Sequence, residues 1–153
     1  MISVMSLFDL TGRSAIVTGA AGFLGGAISH ALSEAGANVA LVDRVSTENL
    51  ANQLPKSAKQ THKSIIADLA VDQDCRALPI DAVSSFGSLD IIVNCAAFVG
   101  TDNLQGWTSE VESQSLKTWR ESLEVNLTAP FVLTQAALPY LKQSSNASVI
   151  NIG

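Results

Sequence analysis

The chain is 153 residues long, 47% apolar, 15% charged and 5% aromatic, and its 14 Asp and Glu against nine Lys and Arg leave a net charge of -5. A single domain of this length buries roughly 68–70% of its unfolded surface, so the composition excludes a disordered chain. The acidic balance also excludes a nucleic-acid backbone or an anionic membrane as the main partner, since either demands a basic face.

Cys75 and Cys95 have neither the spacing of a zinc site nor the density of a disulfide scaffold, and they read as free thiols of a cytoplasmic protein. The N-terminus, Met1-Ile-Ser-Val-Met-Ser-Leu-Phe-Asp, lacks the basic region and cleavage site of a secretory signal. The sequons at Asn126 and Asn146 then carry no weight. Ser14 to Ser33 is free of formal charge and long enough to span a bilayer, with Gly22 and Gly26 at helix-dimer spacing. Four glycines, Thr18, His30 and three serines set that segment against a membrane span.

In chain order, Ser14-Ala-Ile-Val-Thr18 is an apolar, β-rich run that ends at Gly19 and reads as a buried strand. Phe23, Leu24, Ala27, Ile28, Ala31 and Leu32 then fall on one helical face, and Gly36 supplies the stop. Asn38 to Val42 is a second strand, closed by Asp43. Ser46 or Thr47 caps a helix carrying Leu50, Ala51 and Leu54, which Pro55 terminates. Ser64 to Ala67 is the third strand, and Asp72 the N-cap of a helix to Phe86 that Pro79 should kink or divide before Gly87 ends it.

Leu89 to Val93 is the fourth strand. Residues 98 to 114 are polar and glycine-punctuated and read as a long loop, a length associated with function. Ser115 caps a long helix with Leu116, Trp119, Leu123, Leu127 and Phe131 in register, bent at Pro130 and ending near Tyr140. Ser148 to Ile152 is the fifth strand. The resulting β-α-β-α-β-α-β-α-β order, with strands apolar enough to be covered on both faces, predicts an α/β fold of the Rossmann type. Its doubly wound parallel sheet forms one domain over residues 1–153, incomplete at the C-terminus.

Ligands of such sheets bind at the carboxyl ends of the strands. The first strand end carries Thr18-Gly19-Ala-Ala-Gly22-Phe23-Leu24-Gly25 between strand and helix. Glycines there let the backbone approach a pyrophosphate, and the positive helix end attracts its charge, although a tight βα turn would look the same. Asp43 ends the second strand 18 residues beyond Gly25, where a carboxylate accepts hydrogen bonds from the adenosine ribose or merely opens a turn. The same charge repels a 2′-phosphate by about 1–4 kcal/mol at ~4 Å, which favours NAD over NADP, and adjacent Arg44 softens that discrimination.

From Leu7 to Gly153 the chain resembles the short-chain dehydrogenase/reductases. The likeness rests on Leu7-Phe-Asp-Leu-Thr-Gly-Arg13, the glycine motif, Asp68-Leu69, Asn94-Cys95-Ala96-Ala97, Glu124-Val-Asn126-Leu and Ser148-Val-Ile-Asn-Ile-Gly153. It implies that Asp68 and the Leu69 backbone sit by the adenine, and that Asn94, Cys95, Ala96 and Ala97 line the nicotinamide ribose side. Asn126 would be the catalytic-tetrad asparagine supporting a proton-relay water. Local alternatives are a turn former at Asp68, a sheet-end hydrogen bonder at Asn94, and a helix residue at the Pro130 kink for Asn126.

The Gly-x-x-Gly-x-x-Gly spacing is similar to the family's extended branch, with Phe23 where the commoner small enzymes place glycine, and Ala97 replaces a glycine of the Asn-Asn-Ala-Gly element. Hydride transfer in the family needs a serine and a tyrosine with a lysine four residues on. The single tyrosine, Tyr140, has Ser144 at that offset, and the serine would align just past Gly153, so the catalytic trio is expected beyond this chain, which alone would be inactive. His30 and His62 read as surface or packing residues, and no metal site is expected.

The expected function is thus the cofactor-binding portion of an NAD(P)-dependent oxidoreductase acting on a hydroxyl or carbonyl carbon of a small-molecule substrate, in a protein that the resemblance makes a homo-oligomer. A non-catalytic nucleotide-binding or interaction module ending at Gly153 is one alternative. A sugar-nucleotide or glycan-modifying member, suggested by the 98–114 loop with Trp107, Glu110 and Glu112, is another.

Overall fold

The computed structural model describes residues 4–98, 106 and 109–153. Five parallel strands, β1 (Ser14–Thr18), β2 (Asn38–Asp43), β3 (His62–Ile66), β4 (Ile91–Asn94) and β5 (Ser148–Asn151), form one sheet in the order β3-β2-β1-β4-β5. The helices are α1 (Phe23–Glu34), α2 (Glu48–Gln53), α3 (Asp72–Phe86), α4 (Leu116–Leu123) and α5 (Ala129–Leu141). The chain builds outward from β1 through β2 to β3 and then returns to lay β4 on the other side of β1. That reversal creates a crevice outside the carboxyl ends of β1 and β4, where an open α/β sheet takes its ligand.

Side chains of a strand alternate between faces, and β1 divides its apolar residues accordingly. Ala15 and Val17 join Val39, Leu41, Ile91 and Val93 under Ile28 and Leu32 of α1 and Ala51 of α2. Ile16 points the other way, with Ala40, Val42, Ile65 and Ile92, under Leu78 and Ala82 of α3 and Leu133, Ala137 and Leu141 of α5. All five residues of β1 are buried, as befits the strand at the middle of the sheet. Cys75 belongs to a smaller cluster with Ala129 and Val132, and burial, reinforced by Asp72 and Asp74, pushes its thiol pKa up to about 11.

Several boundaries differ from the sequence reading, each for a local reason. The third strand begins two residues early, because His62 and Lys63 pair with Val39 and Ala40 although their side chains alternate out of the core. The fourth spans Ile91–Asn94 instead of starting at Leu89, and Leu89 is nevertheless in the core. β5 stops at Asn151, and all four of its residues are exposed, so it lacks the two-sided cover expected of it. Asp72 opens α3 instead of capping it, and the helix runs unbroken through a buried Pro79. The Thr47 hydroxyl does not cap α2, because it donates to the Leu41 carbonyl in the core.

The single long helix expected after Ser115 is instead α4, a π-helical turn over Glu124–Thr128, and α5. Ser115 does cap it, accepting from the Thr118 N–H. The widened turn falls where Pro130 would otherwise crowd the carbonyl four residues back, at Asn126, so the break precedes the proline instead of sitting on it. Within the expected 98–114 loop, Val111–Ser113 forms a 3-10 turn, and Trp107 lies outside the described residues.

At the strand-start end of the sheet Asp90 holds three segments together. Its carboxylate accepts from the Ser14 N–H (2.9 Å), the Ser88 hydroxyl (2.9 Å) and the Ser144 hydroxyl (2.6 Å). Burial alone would raise its pKa, but these bonds and the nearby Arg13 outweigh it and hold the carboxyl below its ordinary 3.8. A group with a depressed folded pKa stabilises fully above its unfolded value and loses that contribution as pH falls through the folded one. Asp90→Ala is therefore expected to lower stability by about 3 kcal/mol near neutral pH, with the gap to wild type narrowing below pH 3.8. Urea midpoints at pH 7 and in acid check both halves, and a gap that stays constant with pH would contradict the ionised carboxylate.

Candidate functional site

The glycines allow the loop after β1 a close-packed form. Gly19 has φ +69°, and a Cβ there would stand 2.7 Å from Ala96 Cα, so the loop after β1 and the loop after β4 can touch only through a glycine. A Cβ on Gly25 would run into the Gly19 carbonyl, which is how the first turn of α1 seats directly on the loop. Gly22 is the N-cap and has no side chain to cap with, and the first turn contains no acidic residue. The leading N–H groups and the positive end of α1 therefore carry no side-chain cap, and the carboxylate bonded beside them is Asp43, at the Ala21 N–H.

That crevice is a cleft of about 580 Å³. Of the expected cofactor residues, Gly19, Gly22, Phe23, Leu24, Gly25, Asp43, Arg44, Asp68, Leu69, Cys95, Ala96 and Ala97 all line it. Residues up to 78 positions apart in sequence are brought to one wall by the strand order. The other lining residues are Ala67, Ala70, Phe98, Glu121 and Val125. The sequence reading passed over Glu121 and Val125, although their i, i+4 spacing put them on one face of the helix.

Thr18 and Asn94 do not line this cleft; both side chains bond within the protein beside it. Thr18 is buried under the cleft floor, and its hydroxyl accepts from the Cys95 N–H (3.0 Å) and the Ala96 N–H (3.1 Å). It thus clips the β4 loop to the end of β1. Asn94 is buried as well and donates to the Asn151 Oδ1 (2.8 Å), the sheet-end hydrogen bonder of the local alternative.

Asp43 and Asp68 stay in the cleft but also shape it. The Asp43 carboxylate accepts from the Ala21 N–H (3.0 Å) and the Val45 N–H (3.4 Å), fixing the glycine loop to the end of β2. Asp68 Oδ1 accepts from the Ala70 N–H (2.9 Å), so it forms the turn that the local alternative described while its residue lines the cleft. Phe23 is almost wholly exposed at the mouth, at 96%. Burial raises the pKa of Cys95, which packs partly against the core below.

Asn126 sits on the π-helical turn and does not line the cleft. Its carboxamide accepts from the Phe98 N–H (2.7 Å) and donates to the Phe98 carbonyl (3.4 Å), so it grips the β4 loop at the cleft edge. A second hollow beyond it is bounded by Asn94, Asn126, Phe131, Thr134 and Asn151. Tyr140 packs on the core in the last turn of α5, toward the end of the sheet where Ser144 meets Asp90. His62 begins β3, also at that end, with Nε2 3.1 Å from the Ser33 hydroxyl and its pKa lowered by burial. His30 is exposed on α1 beside Glu34. Among the described residues no group of His, Cys, Asp and Glu is placed to hold a metal ion, and no helix is long and apolar enough to cross a membrane.

A doubly wound parallel sheet with a glycine loop at its reversal point defines the Rossmann-like α/β class. Within that class, the family model for short chain dehydrogenases matches residues 13–153, and the chain belongs to that family. A probable galactose dehydrogenase of Rhizobium meliloti is 35% identical over 146 residues, covering 94% of this chain and 54% of the relative. An uncharacterized oxidoreductase of Staphylococcus epidermidis is 30% identical over 140 residues, covering 92% and 57%. Among solved structures, a short-chain type dehydrogenase/reductase from Mycobacterium marinum superposes with a TM-score of 0.84 at 26% identity, covering 98% of this chain and 59% of that one. A metagenomic short-chain oxidoreductase in complex with NADP gives 0.81 at 26%, covering 94% and 63%. The chain thus spans little more than half the length of these relatives.

Proposed function

We propose that residues 13–153 are the cofactor-holding part of an NAD(P)-dependent oxidoreductase that moves hydride between the nicotinamide and a hydroxyl or carbonyl carbon of a small molecule. The observation that carries this reading is the convergence of the uncapped N-terminus of α1, Asp43 and Asp68 on one cleft, over a glycine loop that any Cβ would fill. The donor set fits a dinucleotide: backbone N–H groups for a pyrophosphate, a carboxylate acceptor for ribose hydroxyls, and apolar surface for the bases. When bound, the cofactor supplies the hydride acceptor or donor.

The chain's own residues hold and orient it. The first turn of α1 takes the pyrophosphate, Asp43 the adenosine ribose, Asp68 and Leu69 the adenine, and Cys95 to Ala97 the nicotinamide ribose side. Asp43 makes NAD the preferred cofactor. Asn126 keeps the β4 loop at the cleft edge through Phe98 and borders the second hollow, which suits the support of a proton-relay water. Tyr140 packs on the core and does not line the cleft, so it is not placed to serve as the proton-transfer tyrosine there. The galactose dehydrogenase relative makes a sugar hydroxyl a specific second form of the substrate. Exposed Leu116, Trp119, Leu127 and Phe131 offer the apolar face for a homo-oligomer.

Calorimetric titration of the full-length protein with NAD tests the reading. Saturable binding is expected, with a stabilisation of about 2.7 kcal/mol when NAD stands at a hundred times its Kd. Absence of heat and of thermal shift with millimolar NAD and NADP would overturn it.

A further inference from the structure

The connection from α2 to β3 is fastened to the C-terminal turn of α1 by two side chains. Gln60 donates to the Ser33 carbonyl (2.8 Å) and the Ala37 carbonyl (3.1 Å), and its own side-chain oxygen accepts from the Ser57 N–H (2.7 Å). His62 places Nε2 3.1 Å from the Ser33 hydroxyl and 3.2 Å from the Pro55 carbonyl. Ser33 is buried and donates its one hydroxyl hydrogen to the Pro55 carbonyl, so the hydrogen of the imidazole contacts has to come from the ring. His62 therefore carries its proton on Nε2, and Nδ1 is a bare acceptor. That atom is closed off from solvent and has no hydrogen-bond partner among the described residues.

A proton arriving at Nδ1 would create a buried, charged N–H with nothing to accept from it, which costs more than an ordinary lost hydrogen bond. The surroundings offer no compensating negative charge. Lys56, on the connection itself, acts on the ring and opposes a second positive charge. α1 contributes the uncharged Ser33 hydroxyl, and β2 contributes Val39, the residue paired with His62. The charged residue of α2, Glu48, lies in its first turn, at the far end of that helix. Glu34 of α1 is engaged with exposed His30 at 3.6 Å, and Lys63 donates to the Ser85 hydroxyl of α3 (2.9 Å). Burial first, and then Lys56, hold the His62 pKa below its ordinary 6.5 in spite of the Pro55 bond.

We propose that His62 is an acid-sensitive latch: neutral, it holds the α2–β3 connection against α1, and protonated, it favours a released connection in which Nδ1 meets water. Residues 55–61 are exposed or half-buried, so they can lift while Leu54 and Ile65 stay in the core. None of the latch residues lines the cleft, and the device stands apart from the cofactor reading. Release takes up a proton, so the open population is constant above pH 6.5, grows as pH falls below it and levels off below the folded pKa.

Hydrogen exchange of the full-length protein at about pH 7.5 and about pH 5.5, corrected for intrinsic rates, tests this. The reporters are the Ser57, Gln60 and Thr61 N–H groups, bonded to Gln60, Ser57 and Asn38. Their opening is expected to rise several-fold, up to about tenfold, at the lower pH, with β1 and β4 unchanged. His62→Gln keeps a donor for the Pro55 carbonyl but does not titrate, and its opening should be the same at both pH values. His30→Gln removes the exposed histidine and should keep the full response. A wild-type response under about twofold, one that survives His62→Gln, or one that disappears in His30→Gln overturns the latch. Should the glutamine leave the connection open at both pH values, NMR titration of the wild-type ring decides. His62 is expected to titrate below pH 6.5, and titration at or above that value overturns the proposal.

Discussion

Gly19→Ala is expected to cost the fold roughly 2–6 kcal/mol, from about 1–3 for overpacking and about 1–3 for a side chain held at positive φ. The new methyl would stand 2.7 Å from the Ala96 Cα and 2.8 Å from its nitrogen, both main-chain atoms that no rotamer change can move aside. The adjacent β4 loop is also pinned by the Thr18 hydroxyl, so relief has to come from separating the ends of β1 and β4. A loss of this size is a large share of the 5–15 kcal/mol that domains have available. Urea unfolding should show a lower midpoint at unchanged slope, and dinucleotide affinity should fall in any fraction that still folds. A midpoint within experimental error of wild type would show that the two loops do not meet as closely as described.

Asp43→Ser should shift cofactor choice by about 1–4 kcal/mol toward NADP, roughly fivefold to several hundredfold in the ratio of affinities. The charge that repels a 2′-phosphate disappears, and Arg44 lines the cleft at the same strand end. The serine hydroxyl is shorter than the carboxylate that accepts from the Ala21 N–H, so affinity for NAD should also fall as the glycine loop loses its tie to β2. Titrating wild type and variant with both cofactors measures the two effects separately. If wild type already binds NADP as tightly as NAD, the discrimination assigned to Asp43 is absent.

Both predictions concern residues visible in the sequence, and they mark what kind of information it holds. Ser14–Thr18 ends where the sequence places it, because a five-residue apolar run followed by glycine can be only a short buried strand. The helix from Phe23 follows its apolar spacing, and Gly36 takes the positive φ that a helix stop of this kind requires. The glycine motif and Asp43 were legible for the same reason: a tight turn and a strand-end acid are local features. For Thr18 and Asn94 the sequence left the side-chain partners open, because a residue's place at a strand end does not say which way its side chain turns. One hydroxyl accepts two N–H groups from a loop more than 75 residues away, and that partner is invisible along the chain.

Local pattern therefore determined the order of elements, the parallel sheet and the loop that meets the ligand, since periodicity, glycine placement and capping act within a few residues. The tertiary structure decided which of those residues line the cleft, which clip β1 to β4, and that Glu121 and Val125 line the same cleft as Asp68. It also decided that Asn126 grips Phe98 from a π-helical turn. These depend on contacts between segments brought together only when the strand order β3-β2-β1-β4-β5 closes around its reversal point, and no local periodicity encodes such long-range juxtaposition.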